Sequence, residues 1–255
     1  MRGCHQERGA NVGEWFKDWF DGDYAAIYEH RDESEAEAAV AMALDQAPAL
    51  ATGPVLDLAC GSGRHLAVLR RHNPLAFGLD LSRELLALAA DPLRPWLLRG
   101  DMRALPFRDA SLAGICLWFT PFGYFGDDQN RALLQRLRAL LRPGGTLVMD
   151  YLNAPHMRKH LVSADVALHP GLHVASRRTL EGHRLVKHMT LTRLETGATR
   201  QVKESVRIYE PEDLRALAAQ SGLTLRHESG DYLGAAFDLE TSPRWIGFLT
   251  REDPN

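Results

Sequence analysis

The feature that most constrains this chain is a short apolar run leading directly into a glycine-rich turn. Residues 55–59 read VLDLA, residues 60–63 read CGSG, and a stretch of helical periodicity begins at Arg64. Glycines allow a ligand to approach the backbone closely, and a helix N-terminus presents free N–H groups to that ligand. The pattern therefore predicts a buried strand, a ligand-binding turn and a helix.

Strand-like and helix-like segments alternate from this point as far as residue 152. The predicted strands are 55–59, 75–80, 96–101, 112–119 and 146–152, and the predicted helices are 63–72, 82–90 and 127–141. Such alternation is typical of βαβ units, which form a parallel sheet covered by helices on both faces. We therefore expect an α/β fold.

The segment before the first strand has helical character. Residues 1–13 are expected to be a loose tail, and aromatic residues at helical spacing predict a short helix over 14–20. This helix either packs its aromatic side onto the core or covers a ligand. The sequence Ser34-Glu35-Ala36-Glu37 fits a capping box, which predicts a helix that begins there and reaches Ala47.

The segment after residue 152 has a different pattern. Strand-like runs separated by short turn sequences predict an antiparallel arrangement, followed by one helix and two more strands. These strands are 172–180, 183–194 and 199–209, then the helix is 209–223, and the last strands are 224–229 and 244–250.

Composition excludes several classes of protein. The 255 residues carry 30 Lys and Arg against 33 Asp and Glu, so the net charge of −3 provides no strong basic field for nucleic acid. Three cysteines without a CxxC pair argue against a disulfide framework and against a thiolate zinc site. No membrane span or signal peptide is recognised, so a cytoplasmic protein is expected.

Two carboxylates end the second and third predicted strands. Asp80 comes 19 residues after Gly61, where a carboxylate accepts hydrogen bonds from a ribose diol. NAD-binding proteins and adenosyl-cofactor proteins both use this device, although the turn lacks the third glycine of the dinucleotide fingerprint. Asp101 at the end of the third strand is either an acceptor for an exocyclic amine or a plain turn residue, and Met102 either lies on a purine face or packs in the core.

These motifs, in this order, resemble the class I S-adenosylmethionine-dependent methyltransferases. The resemblance rests on VLDLACGSGRH, FGLDLS, RGDMRALPF, ICLWFTPFGYF and LRPGGTLVMDYL, because five ordered motifs are far more specific than one. The chain is most similar to bacterial small-molecule enzymes such as sugar N-methyltransferases. The resemblance implies a Rossmann-like, seven-stranded sheet with an N-terminal helical cap (1–50), a cofactor-binding core (51–152 and 210–255) and an antiparallel substrate-cap insert (153–209).

The resemblance also implies the residues that bind S-adenosyl-L-methionine. The glycine-rich turn is expected under the amino-acid end of the cofactor, and Arg31 or Arg64 is expected to pair with its carboxylate. The implied binding residues are Tyr24, Tyr28, Ala59, Cys60, Gly61, Gly63, Asp80, Leu81, Asp101, Met102, Leu117 and Phe119.

The acceptor side is less constrained, and no catalytic residue is fixed. The candidates near the acceptor are Tyr124, His156, Arg207, Tyr209 and Tyr232, and we hypothesise that Tyr124 borders the acceptor pocket. His156 and His160 have the spacing of a metal motif without its Glu, so no metal is expected.

Basic residues are frequent in the insert. Alternation along the strands predicts one basic face, which fits an anionic acceptor, a homodimer surface or simply a solvated sheet. The residues are Arg177, Arg178, Arg184, Lys187, Arg193, Arg200, Lys203 and Arg207.

The leading functional hypothesis is methyl transfer from S-adenosylmethionine to a small molecule. An RNA or protein methyltransferase is the second hypothesis, and the near-neutral charge and the absence of an Asn/Asp-Pro-Pro-Tyr signature in WFTPFGYF count against it. A non-catalytic protein that binds S-adenosylmethionine or S-adenosylhomocysteine is the third. An NAD-dependent dehydrogenase is the weakest alternative.

Overall fold

The computed structural model describes residues 13–29 and 31–252, so the expected tail lies, apart from residue 13, outside the described residues. The strands of this part are β1 Val55–Leu58, β2 Ala76–Asp80, β3 Leu97–Arg99, β4 Leu112–Leu117, β5 Leu141–Leu152, β6 Ala164–His169, β7 Leu172–Glu181, β8 Arg184–Arg193, β9 Thr199–Arg207, β10 Thr224–Ser229 and β11 Arg244–Thr250. The α-helices are α1 Phe16–Trp19, α2 Gly22–Ile27, α3 Glu33–Gln46, α4 Arg64–His72, α5 Arg83–Ala87, α6 Asp127–Leu140, α7 Ala154–Lys159 and α8 Pro211–Gln220. None of these helices is long and apolar enough to span a membrane.

The larger sheet has seven strands in the order β10-β11-β5-β4-β1-β2-β3. Strands β1 to β5 are mutually parallel, and β11 is antiparallel to both β5 and β10. The seven-stranded Rossmann-like sheet expected from the sequence is therefore confirmed. Because β1 pairs with β2 on one side and β4 on the other, the chain reverses direction across the sheet at β1. Ligands bind in open α/β sheets at such a switch point, outside the carboxyl ends of the strands.

Both faces of this sheet are covered by helices. Successive residues of β5 point to opposite faces. Leu147 and Met149 join a core cluster with α6 and α8, whereas Val148 joins a second cluster with α3 and α4. Burial on both faces explains why the central strands are almost continuously apolar in sequence.

The N-cap of α3 is Asp32, two residues before the predicted N-cap Ser34. The Asp32 carboxylate accepts a hydrogen bond of 3.0 Å from the Glu35 backbone N–H, and the Ser34 hydroxyl itself donates to Asp32. The prediction that Ser34 starts the helix is therefore wrong, because Asp32 is an equally good N-cap and occupies that position.

The insert forms a separate four-stranded antiparallel sheet in the order β6-β7-β8-β9, which we call the insert sheet. The sequence predicted β7, β8 and β9 but missed β6. Leu172, Val174 and Met189 on one face of this sheet pack with Trp19 and Ile27 from the N-terminal helices. The N-terminal helices therefore lie against the insert sheet.

The predicted single basic face of the insert does not form. Lys187 lies on the face that meets α2, whereas its neighbour His188 is directed to the other face and pairs in register with the exposed Lys203. Alternation along each strand divides the basic residues between the two faces, because consecutive side chains point in opposite directions.

Candidate functional site

A cavity of about 280 Å³, which we call the first cavity, lies at the carboxyl ends of β1, β2 and β3 and beside the turn that follows β4. The N-terminal helices α1 and α2 close it from the opposite side. Ten of the twelve residues implied by the resemblance line this cavity: Tyr24, Tyr28, Ala59, Cys60, Gly61, Asp80, Leu81, Asp101, Met102 and Phe119.

Two of the twelve do not line it. Gly63 is the residue before α4 and has φ +83°, so its role there is to let the turn enter the helix. Leu117 is fully buried at the end of β4 and packs in the core.

The turn after β1 and the end of β2 are joined by the Asp80 carboxylate. One oxygen accepts from the Gly61 N–H at 2.7 Å, and the other accepts from the Ser82 N–H at 2.8 Å. Burial raises the pKa of Asp80, although these two N–H groups act in the opposite direction by favouring the charged form. A carboxylate offers about four acceptor sites, so Asp80 is oriented by the backbone with acceptor capacity left for a ligand.

Backbone strain is concentrated around this cavity. Ala59, Phe119 and Thr120 have φ values of +61°, +66° and +64°, in the left-handed region that disfavours residues with a Cβ atom. Such conformations persist where surrounding contacts impose them, and they cluster at ligand sites.

The turn after β4 is held by a buried charged cluster behind the cavity. The Asp150 carboxylate accepts from the Phe119 N–H at 2.6 Å and from the Tyr232 hydroxyl at 2.5 Å. Arg244 pairs with the same carboxylate and donates to the Thr120 hydroxyl at 2.8 Å. Asp150 thus fixes the two strained residues and the direction of the Phe119 ring.

Asp57 lies in the wall of the first cavity and was missed by the sequence analysis. It is 1% exposed, and one of its carboxylate oxygens has no hydrogen-bond partner among the described residues. Burial and the neighbouring Asp80 charge raise the pKa of Asp57 to about 8. Its position inside the VLDLA run made it indistinguishable from a structural strand residue, and the carboxylate in an apolar run was the only signal.

The structure separates the two arginines considered for an anion. The Arg64 guanidinium donates to the Asp32 carbonyl at 2.8 Å and to Glu35 at 3.0 Å. The Arg31 guanidinium lies 3.0 Å from the centre of the Phe119 ring and 3.8 Å from the same Glu35 carboxylate, but its buried Nε atom has no hydrogen-bond partner in the described part of the chain. Arg31 is therefore the better oriented of the two toward a ligand.

His65 is a second residue of the first cavity that the sequence analysis missed. His65 lines the first cavity and stacks on Trp118 with ring centres 5.0 Å apart. Burial lowers the pKa of His65 well below its usual value, so the ring is neutral. Its Nε2 atom is buried without a partner in the described ranges.

Asp101 is already paired. Arg103 donates to both of its carboxylate oxygens, at 3.0 Å to each from Nε and at 2.6 Å from one terminal nitrogen. The Arg103 contact holds the pKa of Asp101 below its usual range, so Asp101 is a permanently charged acceptor at the rim of the cavity.

The acceptor candidates are dispersed. Tyr124 lines the first cavity and contacts Trp15, Phe16 and Phe20. Tyr209 is buried in the core, where its hydroxyl donates to Asp127 at 2.7 Å.

The other three candidates are also away from the first cavity's wall. Tyr232 binds Asp150 behind the turn, Arg207 pairs with Asp127 at 2.8 Å, and His156 lies on α7 against His160. Tyr124 is thus the one member of this group that the fold brings to the first cavity.

Comparison with known proteins identifies part of the chain directly. Residues 55–145 match a family model described as a methyltransferase domain. A carboxy-S-adenosyl-L-methionine synthase from Chromohalobacter salexigens is 37% identical over 107 residues, which are 38% of this chain and 38% of that protein. A dTDP-3-amino-3,6-dideoxy-alpha-D-glucopyranose N,N-dimethyltransferase from Streptomyces fradiae is 30% identical over 138 residues, 51% of this chain and 54% of that protein. The chain thus spans about half or less of the length of these relatives.

Solved structures share the fold over most of the chain. An S-adenosylmethionine-dependent methyltransferase from Clostridium acetobutylicum superposes with a TM-score of 0.74 at 16% identity, covering 90% of this chain and 96% of that chain. The SAM-bound amino pentose methyltransferase CalS10 from Micromonospora echinaspora gives 0.65 at 24% identity, with coverages of 90% and 96%. The matched domain and the shared fold confirm the resemblance inferred from the sequence.

Proposed function

We propose that this chain, with a methyltransferase domain at residues 55–145, is an enzyme that transfers a methyl group from S-adenosyl-L-methionine to a small-molecule acceptor. The observation that carries the proposal is the convergence of Gly61, Asp80 and Asp101 on one cavity. Each follows a different parallel strand, and together they match the amino-acid, ribose and adenine ends of the cofactor.

The unsatisfied groups of the first cavity fit the amino-acid end of the cofactor. Among the described residues, Arg31 offers a cationic N–H group without a hydrogen-bond partner, which suits the cofactor carboxylate. Within the same part of the chain, Asp57 offers a carboxylate oxygen without a partner, which suits the cofactor ammonium. A buried polar atom left unpaired costs free energy, so both residues gain a hydrogen bond when such a zwitterion binds.

The part of the first cavity around Asp80 and Asp101 fits the nucleoside end of the cofactor. Asp80 accepts from the ribose diol with the acceptor sites that Gly61 and Ser82 leave open. Leu81 and Met102 supply apolar surface for the adenine ring, and Asp101 accepts from its exocyclic amine.

The bound cofactor supplies a sulfonium methyl group that is already electrophilic. What the chain contributes is position and the exclusion of water. Tyr24 and Tyr28, whose ring centres are 4.6 Å apart, cover the cavity from α2, and the ring of Phe119 closes it from the strained turn after β4. His65 is a further group on this wall, a neutral imidazole whose Nε2 atom has no hydrogen-bond partner among the described residues.

The small-molecule nature of the acceptor is part of the proposal. The net charge of −3 favours a small acceptor over nucleic acid, and the similarity to an amino-sugar N,N-dimethyltransferase supports this class. We also propose a role for each segment of the chain. Residues 1–50 act as a cap, residues 153–209 act as the acceptor-side insert, and residues 51–152 and 210–255 act as the cofactor domain.

Calorimetry with S-adenosylhomocysteine and NAD tests the cofactor assignment. We expect S-adenosylhomocysteine to bind and NAD not to bind. Asp80→Ala should weaken S-adenosylhomocysteine binding by about 1.5–3 kcal/mol, or about 10- to 150-fold, because a hydrogen bond to a charged group is lost.

The matched control is Asp91→Ala, because Asp91 has 86% side-chain exposure and is remote from the cavity wall. Equal binding by the two variants contradicts the role given to Asp80. Binding without turnover on a broad metabolite panel would instead identify a non-catalytic binding protein.

A further inference from the structure

Arg184, the first residue of β8, binds two segments of the chain with all three of its guanidinium nitrogens. Nε donates to the Ser205 hydroxyl at 2.7 Å, and Nη2 donates to the Ser205 carbonyl at 2.7 Å. The remaining bonds go to the carbonyls of three consecutive residues after β4, which are Gly123 at 3.2 Å, Tyr124 at 3.1 Å and Phe125 at 3.1 Å. We call these three residues the platform loop. Arg184 therefore ties the insert sheet to the platform loop.

The guanidinium of Arg184 is held by neutral oxygens. Within residues 13–29 and 31–252, its hydrogen-bond partners are carbonyls and one hydroxyl, and no carboxylate pairs with it. A guanidinium presents its N–H donors in a fixed planar fork, whereas a lysine ammonium is a compact point charge with fewer donors. The contact set thus requires the fork and not only a positive charge.

The platform loop depends on partners from other elements. It lies between β4 and α6, outside regular structure, and Gly123 and Phe125 are buried. Gly123 has φ +99°, and a Cβ atom there would lie 2.9 Å from the Tyr151 hydroxyl and 3.0 Å from the Arg207 carbonyl, so the loop passes directly against β9. Buried carbonyls that lose a donor cost free energy. Removal of the Arg184 side chain should therefore loosen the loop.

The side chains of the platform loop support the aromatic residues of α1 and its two caps. The Tyr124 ring centre lies 4.9 Å from that of Trp15 and 5.8 Å from that of Phe20. The Phe125 ring packs edge-on against Phe16 at 5.3 Å. Phe16, Phe20 and both loop residues line the first cavity. Such ring contacts depend on relative orientation, so the position of the loop decides how α1 closes this cavity.

We propose that Arg184 is a positioning residue for cofactor binding, through which the insert sheet controls the closure of the first cavity. Arg184 does not line that cavity and acts through Tyr124 and Phe125, which do. The inference rests on the proposed function for the identity of the ligand. A ligand that needs the closed arrangement binds more weakly in proportion to the fraction of molecules in which that arrangement is lost.

The matched pair of variants is Arg184→Ala and Arg251→Ala. The Arg251 guanidinium also donates to backbone carbonyls, those of Ala139 at 3.0 Å and Leu141 at 2.7 Å, but Arg251 is not part of the first cavity. Calorimetry with S-adenosylhomocysteine should show a Kd raised about 10- to 50-fold in Arg184→Ala and changed less than about twofold in Arg251→Ala. Arg184→Lys, which keeps the charge without the fork, should also bind weakly. It serves as the test variant if Arg184→Ala does not fold.

Chemical rescue distinguishes a positioning role from a general loss of structure. Arg184 also lines a separate cavity of about 600 Å³, together with Trp15 and Lys203, through which a small cation can reach the vacated position. Guanidinium chloride below denaturing concentrations should restore S-adenosylhomocysteine binding to Arg184→Ala, whereas sodium chloride at the same concentration should not. Weak binding that guanidinium leaves unchanged would overturn the proposal.

A double-mutant cycle with Tyr124→Ala tests the route of the effect. If Arg184 acts through the platform loop, its replacement in the Tyr124→Ala background should raise the Kd at least about threefold less than it does in the wild-type protein. Equal effects in both backgrounds would show that Arg184 does not act through Tyr124.

Hydrogen exchange without ligand separates this inference from the proposed function. Exchange over residues 16–28 and 119–130 should be faster in Arg184→Ala than in the wild-type protein and in Arg251→Ala, because the loop and α1 are released. Unchanged exchange together with unchanged Kd would overturn the role of Arg184. Faster exchange in a protein whose wild type does not bind S-adenosylhomocysteine would support that role and overturn the proposed function alone.

Discussion

Asp57 places a buried carboxyl group in strand β1, where packing alone does not call for one. It is buried at the end of β1 with an oxygen that lacks a partner in the described part of the chain, and its pKa is raised to about 8 by burial and by Asp80. A structural strand residue in this position would be apolar. A carboxyl group at this position in the wall of the first cavity suits a cationic group of a ligand.

Asp57→Asn should stabilise the empty protein at alkaline pH. Between the unfolded pKa near 4 and the folded pKa of about 8, the folded state holds a proton that the unfolded chain releases, so stability falls as pH rises. Asn has no such proton. We expect wild type to lose on the order of 2–4 kcal/mol more than Asp57→Asn between pH 5 and pH 8 in urea unfolding.

The matched substitution is Asp91→Asn, in which the exposed carboxylate is replaced. The unfolding free energy of Asp91→Asn should equal that of the wild-type protein at both pH 5 and pH 8. Parallel curves for wild type and Asp57→Asn would show that Asp57 is already charged in the folded protein.

At the scale of single elements, the turn after β4 is the most constrained part of the site. Phe119 and Thr120 are both left-handed, and their backbone and side-chain contacts converge on Asp150 and Arg244. Asp150 is fully buried, and the Arg244 side chain is 16% exposed. The buried ion pair between Asp150 and Arg244 therefore holds the strained turn, and Phe119 of this turn lines the first cavity.

Asp150→Asn should cost about 3–5 kcal/mol of unfolding free energy, because it leaves Arg244 charged and unpaired in a buried position. The comparison is Glu252→Gln, which removes an exposed ion pair with Arg226 and should cost less than about 1 kcal/mol. Chemical denaturation measures both. A loss below 1 kcal/mol for Asp150→Asn would mean that the pair does not support the turn.

Several elements follow directly from local sequence. Strands β10 and β11 have the predicted bounds, and Asp80 ends β2 as expected. Strand β6 was missed, because Ala164–His169 is short and its outward residues, such as Val166 and Leu168, are exposed apolar side chains. Strand β5 begins at Leu141, five residues before the prediction, because Leu141 pairs with Leu112 of β4 and the backbone of Gly144 and Gly145 hydrogen-bonds to Arg251, the residue after β11.

At the scale of the whole molecule, α1 and α2 connect the two sheets. Asp23 pairs with Arg193 of the insert sheet at 2.6 Å, and Arg200 contacts both Asp21 and Asp23. The same helices place Phe20 and Tyr24 over the first cavity. The same two helices therefore contact both the first cavity and the insert sheet, so we expect a ligand in that cavity to strengthen their docking.

S-adenosylhomocysteine should stabilise the whole protein and protect the N-terminal helices. At 100 times its Kd, a ligand that binds only the folded state adds about 2.7 kcal/mol, which corresponds to roughly 5–11 °C in Tm for a chain of this size. Hydrogen exchange should slow in residues 16–28. NAD at the same concentration is the control, and equal effects of the two ligands would contradict the cofactor assignment.

The sequence by itself determined the α/β alternation, the glycine-rich turn and the carboxylates after β2 and β3, because these depend on short-range periodicity and turn chemistry. Only the tertiary structure distinguished Arg31 from Arg64 and left one oxygen of Asp57 without a hydrogen-bond partner among the described residues. It also brought Lys187, Tyr28 and Glu204 into one chain of hydrogen bonds. Such facts depend on contacts between residues as far apart as positions 28 and 204. Local pattern carries no information about those contacts, since they arise when the N-terminal helices pack against the insert sheet.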